Sequence, residues 1–214
     1  MKAKLGLALG LVALGTGLSA GQARAESTPE THDGLYLRLS IGGGYARDKF
    51  EYTGFFGGDA EGIGQGSSGL LEVMLGGTVA KGLVVGGGGS LERVANPKVE
   101  IDGVDVSEDY SLGTLFTWGP MIDWYPDPNG GFHLGGMIGA AALNTKDGTG
   151  DEVNSDAVGG GGEFFIGYEW WVAAEWGVGV AARLFSAMLV DELVIGRVTH
   201  SWTSGGVVFT GTFH

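Results

Sequence analysis

The chain contains no cysteine, and basic residues are scarce: 12 Lys and Arg stand against 25 Asp and Glu in 214 residues. No disulfide framework can form, and a lipoprotein-type leader, which needs a cysteine, is excluded. The formal charge of −13 makes the chain a poor nucleic-acid binder, because it repels phosphate rather than releasing counterions from it. Beyond the N-terminal segment no apolar run is long enough for a membrane-spanning helix. Phosphate-loop signatures are missing as well. The glycine runs have neither the G-x-x-x-x-G-K-[ST] nor the G-x-G-x-x-G spacing, and Lys81 precedes its glycines instead of following them.

What is present begins with MKAKLGLALGLVALGTGLSAGQARA. Lys2 and Lys4 supply a positive start, Leu5 to Leu18 an apolar stretch, and Ala23-Arg24-Ala25 a small-residue cleavage site. Residues 1–25 therefore read as a secretory signal peptide cut before Glu26. Cleavage removes three positive charges (Lys2, Lys4, Arg24) and no acid, taking the formal charge from −13 to −16. Residues 26–33 are polar and read as a short periplasmic lead-in. Mean hydropathy is nevertheless positive for so acidic a chain. Its apolar residues must be distributed over short segments.

From Gly34 the dominant period is two. In GLYLRLSIGGGYA one face carries Leu35, Leu37, Leu39, Ile41 and Tyr45, and the other Tyr36, Arg38 and Ser40. A helix, with its period of 3.6, cannot sort residues in this way. Seven further segments do the same: Gly69–Ala80, Leu83–Arg93, Tyr110–Trp124, Phe132–Leu143, Gly159–Trp171, Gly177–Met188 and Thr203–His214. Their connections alternate. Arg47–Ser68, Val94–Asp109, Asn144–Val158 and Leu189–Trp202 are long, whereas Lys81-Gly82, Tyr125–Gly131 and Val172–Trp176 are short. All long connections then leave one end of an up-and-down sheet, and all tight turns the other.

Periodicity alone does not say which face is inside. A water-soluble barrel would turn its apolar face inward around a ligand. Three features favour lipid outside: aromatic residues gather near the tight turns, glycines surround the long charged side chains, and the chain carries an export signal. The expected fold is all-β, an eight-stranded antiparallel up-and-down transmembrane β-barrel spanning residues 34–214, with both termini in the periplasm.

With its leader, its alternating connections and the closing GGVVFTGTFH, the chain resembles the eight-stranded outer-membrane β-barrels of Gram-negative bacteria, of the OmpA/OmpX and opacity-adhesin type. Phe213 stands where that family's final aromatic is expected, with His214 after it, a departure from the usual ending. The resemblance implies an outer-membrane location, contact with outer-membrane lipids and lipopolysaccharide, and recognition of the last strand by the barrel-assembly machinery. It further implies a non-enzymatic surface protein serving envelope integrity or adhesion through four long acidic extracellular loops and a surface partner. A narrow, porin-like channel is the alternative, or a conduit for small hydrophobic molecules, with an enzyme that modifies lipid A ranked behind both.

Several residues follow as candidates. Arg38, Glu72, Glu92, Glu163, Glu169 and Arg183 share the inward face, and an interior of eight strands is just wide enough for side chains. Arginine–carboxylate pairing is the expected solution, with Arg183 opposite Ile166–Gly167 and diagonal to Glu163 and Glu169. Tyr36, Trp124, Tyr125, Phe132, Trp170, Trp171, Trp176 and Phe213 read as a periplasmic aromatic girdle. Phe50, Tyr52, Phe55 and Phe56 read as an aromatic loop tip for contact with a partner. The acidic segments Val99–Asp109 and Lys146–Asp156 do not fit the EF-hand spacing, so no metal or cofactor is expected. His200-Ser201 with Asp191 or Glu192, and His133, are the residues nearest to catalytic groups. His200 and Ser201, adjacent on a strand, would face opposite sides, so no enzyme is expected. The run Gly86-Gly87-Gly88-Gly89 reads as strand, with Gly86 and Gly88 clearing interior space for arginines from other strands.

Overall fold

Extended backbone places successive side chains on opposite faces, and a sheet sorted in this way can hide one face only by folding onto another sheet or by closing on itself. This chain closes. The computed structural model describes residues 31–54, 58–107, 110–147, 152–193 and 196–214; the expected leader 1–25, most of the expected lead-in 26–33, Phe55 and Phe56 lie outside them. The strands are β1 (Leu35–Gly54), β2 (Asp59–Ala80), β3 (Leu83–Ala95), β4 (Lys98–Ile101), β5 (Val104–Asp105), β6 (Tyr110–Trp124), β7 (Phe132–Asp147), β8 (Glu152–Ala173), β9 (Trp176–Leu193) and β10 (Gly196–Phe213). Every pairing is antiparallel. The ring runs β1-β2-β3-β6-β7-β8-β9-β10 and returns to β1, which bonds β2 on one side and β10 on the other. A closed ring leaves no free edge, so backbone groups are satisfied within the wall. The short β4–β5 hairpin docks beside the upper part of β2, pairing Gly62–Gln65 with Lys98–Ile101.

The wall is inverted relative to a water-soluble protein. Leu39, Ile41, Leu71, Val73, Phe164, Leu184 and Phe209 point outward and are exposed, while Arg38, Glu72, Glu92, Asp123, Glu163 and Arg183 are buried inside. An apolar surface running around the whole circumference exceeds what a soluble monomer leaves uncovered. The barrel is therefore built to sit in lipid. On β1 the outward apolar residues run from Leu35 to Tyr45. Eleven residues at ~3.3 Å each, tilted ~45°, span about 25 Å, the height of the apolar band of such barrels.

Above that band the strands continue. The connections expected at Arg47–Ser68, Asn144–Val158 and Leu189–Trp202 are mostly strand: β1 runs to Gly54, β7 to Asp147 and β9 to Leu193. In Val94–Asp109 the β4–β5 hairpin takes the place of an open loop. The long loops are thus corrected to tall hairpins that stand beyond the membrane. The cause is a change of polarity at the upper border of the band. There Arg47, Lys49 and Glu51 face outward to water, and Ala46, Asp48, Phe50 and Tyr52 face inward. The period of two persists, but its apolar face has moved inside.

Inside, the two larger of the three apolar clusters of described residues lie among and above the charged layers. Tyr36, Met74, Val84, Met121, Tyr125, Met137 and Phe165 lie toward the tight-turn end; Ala46, Val94, Leu115, Leu143, Phe185, Leu189 and Trp202 lie toward the tall hairpins. Gly88 belongs to the first region. A β-carbon there would lie 3.0 Å from Met74 Cγ and 3.3 Å from Met137 Sδ. Its clearance serves two methionines, not the expected arginines.

Candidate functional site

The interior is a stack of four layers, each set by the inward positions of particular strands. In the lower charged layer, Arg38 of β1 reaches Glu72 on β2 and Asp123 on β6, both at 3.1 Å. Tyr36 donates its hydroxyl to Asp123 Oδ2 at 2.7 Å, and His133 Nδ1 lies 3.0 Å from Oδ1 of the same carboxylate. Ser40 donates to Glu72 at 2.9 Å. The Arg38 guanidinium also covers the Phe165 ring, 3.9 Å from its centroid, a cation–π contact that replaces lost hydration. His133 fits because Gly167 faces it; a β-carbon there would come within 2.4 Å of His133 Nε2.

The upper charged layer is centred on Arg183 of β9. Its Nε donates to Glu163 Oε2 at 2.6 Å and its Nη1 to Glu92 Oε2 at 3.3 Å. Glu92 also accepts from Ser68 and Ser204, each at 2.7 Å. Buried ions are tolerated when attraction is supplemented by hydrogen bonds to their remaining lone pairs, and Glu92 meets that condition. Arg183 sits opposite Phe165, one residue from the expected Ile166. Its expected partnership with Glu163 is present, but the one with Glu169 is not. Glu169 lies four residues above Phe165 in sequence, about 13 Å away along the strand at ~3.3 Å per residue.

Glu169 instead belongs to the layer that closes the tight-turn end. It accepts hydrogen bonds from Thr212 and, at 3.1 Å, from the Tyr125 hydroxyl, while His214 Nε2 lies 3.2 Å from its Oε2. His32, from the lead-in, completes this layer. Its Nε2 donates to the Gly130 carbonyl at 2.8 Å, its Nδ1 lies 3.2 Å from His214, and its ring stacks on Tyr125 at 3.5 Å between centroids. Burial, with the neighbouring His214 adding to it, lowers the His32 pKa to about 4, so the ring is neutral at physiological pH. Trp171 packs against both histidines, at 5.0 and 5.1 Å.

At the other end, within the tall hairpins, an apolar cavity of about 170 Å³ opens. Phe50 and Tyr52 of β1, Val99 and Ile101 of β4, Leu143 of β7, and Val198 and Trp202 of β10 contribute apolar walls. Its polar members include Gln65, Thr145, Asp48 and His200, the last two joined through Oδ2 and Nδ1 at 2.7 Å. Asp48 Oδ1, His200 Nε2 and Trp202 Nε1 are buried with no hydrogen-bond partner among the described residues. The residues lining the cavity therefore carry both acceptors, the Asp48 carboxylate among them, and donors, the Trp202 indole N–H among them.

The remaining expected residues divide. Trp124, Phe132, Trp170 and Trp176 point outward at the tight-turn end, and Phe213 is half-buried against Trp176. Tyr36 and Tyr125 do not join them. Both lie inside the barrel, because each occupies an inward position and carries a hydroxyl that a buried carboxylate can accept. Trp171 folds over the barrel end. Phe50 and Tyr52 are corrected from loop tip to cavity wall, for the polarity reason given above. His200 pairs with Asp48 on the neighbouring strand; Glu192 is exposed and bound to Arg197 at 2.8 Å, and Ser201 takes the alternate position on β10. Alternation already places Asp123 on the inward face with Thr117, but nothing in it singles out the partners of Asp123 or the pairing of Asp48 with His200.

No protein-family model matches the sequence, and comparison with curated proteins finds no match. Among solved structures, the outer membrane protein OprG from Pseudomonas aeruginosa is 15% identical, with 87% of this chain and all of that chain covered and a TM-score of 0.48. AlkL, an outer membrane protein studied in lipid bilayers, is 11% identical, covering 94% and 96% of the two chains at 0.48. Neisserial surface protein A is 13% identical, covering 81% and 95% at 0.44. The closed ring of eight strands and the apolar exterior make this chain an outer-membrane β-barrel in fold.

Proposed function

We propose that this barrel is a non-enzymatic outer-membrane protein that holds a small, mostly apolar molecule bearing a hydroxyl group in the cavity of its tall hairpins. The single observation that carries the reading is the cavity itself: about 170 Å³, mostly apolar-walled, with Asp48, His200 and Trp202 in its lining each holding a buried polar atom that has no partner among the described residues. Specific small-molecule sites combine an apolar lining with a few fixed polar groups. A cavity of ~150 Å³ accommodates one benzene ring, which sets the ligand at roughly one ring or a short branched chain. A hydroxyl can accept from the Trp202 indole N–H and donate to the Asp48 carboxylate, which an alkylammonium group, having no lone pair, and a pure hydrocarbon cannot do together. Below the cavity, the Arg183 and Arg38 layers act as a fixed plug, so the ligand enters and leaves at the outer face instead of passing through.

The test uses the refolded full chain in detergent, with phenol, benzene and cyclohexane as probes. Phenol should raise the unfolding temperature and change Trp202 fluorescence at concentrations at least about tenfold lower than benzene, consistent with one added hydrogen-bonding group. Equal effects of phenol and cyclohexane, or none at millimolar concentration, would overturn the reading. In planar bilayers the same protein should show no stable open-channel conductance.

A further inference from the structure

The tight-turn end carries a second site. We infer that His32, Glu169 and His214 form a binding site for one divalent transition-metal ion of the zinc class, tying the lead-in to the ends of β8 and β10.

The three ligand atoms lie within 4.8 Å of one another, and all three residues are buried. His32 Nδ1 is 3.2 Å from His214 Nε2, which is 3.2 Å from Glu169 Oε2. A tetrahedral ion with bonds of ~2.0–2.1 Å holds its ligands about 3.3 Å apart, so two of the three edges already have the required length. The third edge is no longer than 4.8 Å.

The surroundings of each ligand are those of a metal site. Metal-bound histidine characteristically donates its other ring N–H to a carbonyl or carboxylate, fixing the tautomer. His32 does so: Nε2 is committed to the Gly130 carbonyl, which leaves Nδ1, 3.2 Å from both ring nitrogens of His214, as the nitrogen available to the ion. Glu169 is oriented by the hydroxyls of Tyr125 and Thr212. Tyr125 stacks on the His32 ring and Trp171 packs against it, which limits solvent access. Two imidazoles and one carboxylate favour zinc, copper or nickel over calcium or magnesium, which prefer all-oxygen sets. Three protein ligands leave a fourth position for water.

A plain histidine–histidine hydrogen bond is the competing explanation, and metal binding separates the two. The refolded full chain, freed of metal with a chelator, is titrated with zinc by competition against a chromophoric chelator and, separately, with cobalt by visible absorption. Expected are one zinc per chain, a tetrahedral cobalt spectrum, and a rise in unfolding temperature on zinc addition. His32→Ala and His214→Gln should each weaken binding at least about 100-fold, since loss of an outer-sphere partner alone costs 10- to 100-fold. His32 lies outside the strands, so heat-modifiable gel migration will verify that this variant keeps its barrel. No zinc binding by the wild-type chain, binding unchanged in both variants, or an octahedral cobalt spectrum overturns the site.

Discussion

Arg183 and Glu163 face each other across the β8–β9 pair at 2.6 Å, and each is almost wholly removed from solvent. The same guanidinium also holds Glu92 on the far side of the lumen, so one side chain bridges three strands. Arg183→Ala strands two carboxylates in the interior. It should destabilise the barrel by about 3–5 kcal/mol, the cost of breaking a buried pair from one side. Urea titration of the refolded protein reads the loss directly. If the layer is a plug by packing as well as charge, bilayer conductance stays unchanged in this variant.

The lower layer permits a graded comparison. Arg38→Met removes the counter-charge of both Glu72 and Asp123, and should cost about as much as Arg183→Ala. Tyr36→Phe removes only one hydrogen bond to Asp123, worth about 1.5–3 kcal/mol for a charged acceptor. Equal losses in the two variants, measured in parallel denaturant titrations, would contradict the assignment of Arg38 as the principal partner.

Two glycines on opposite faces should behave differently. Gly88 faces Met74 and Met137 at contact distance, whereas nothing lies within 4 Å of a β-carbon at Gly211. Gly88→Leu overfills the interior and should reduce the folded, heat-modifiable fraction severely; overpacking costs about 1–3 kcal/mol even for smaller additions. Gly211→Leu should refold as the parent does.

Filling the cavity tests its role with little harm to the barrel. A β-carbon at Gly113 meets only the Trp202 ring, at 3.9 Å, an ordinary contact. Gly113→Leu should occupy the space beside that indole and abolish the phenol-induced temperature shift. Stability without ligand should change by less than about 1.5 kcal/mol, as for well-accommodated apolar replacements. A retained phenol response would place the ligand elsewhere.

Period-two alternation carries most of this architecture. Leu35, Leu39 and Ile41 against Tyr36, Arg38 and Ser40 already separate lipid from lumen, and the interior company of Arg38, Glu72, Glu92, Glu163 and Arg183 follows from parity alone. Pair identities do not. Whether Arg183 meets Glu163 or Glu169 depends on a register set at the Val172–Trp176 turn, where the ladder shifts between Trp171 and Ala173. The cavity was illegible for another reason. Above Tyr45 the water-facing side becomes the outside, so Phe50 and Tyr52 look like a loop's apolar tip when they are a lumen wall. The closing layer joins His32 to His214 across 182 residues, a distance no local pattern spans.

The ring is completed by contacts that are remote along the chain. β1 meets β10 from Gly54 with Gly196, 142 residues apart, to Leu37 with Phe213, 176 apart. Pairings so distant are slow to form, since loop-closure entropy opposes them until the intervening chain is organised. Until β10 arrives, β1 keeps an unsatisfied row of amides and carbonyls, and the half-built sheet shows lipid-facing leucines to any neighbour. The last step of biogenesis is therefore also the step most exposed to aggregation. Variants along the β1–β10 seam should slow closure more than equally destabilising variants elsewhere in the wall.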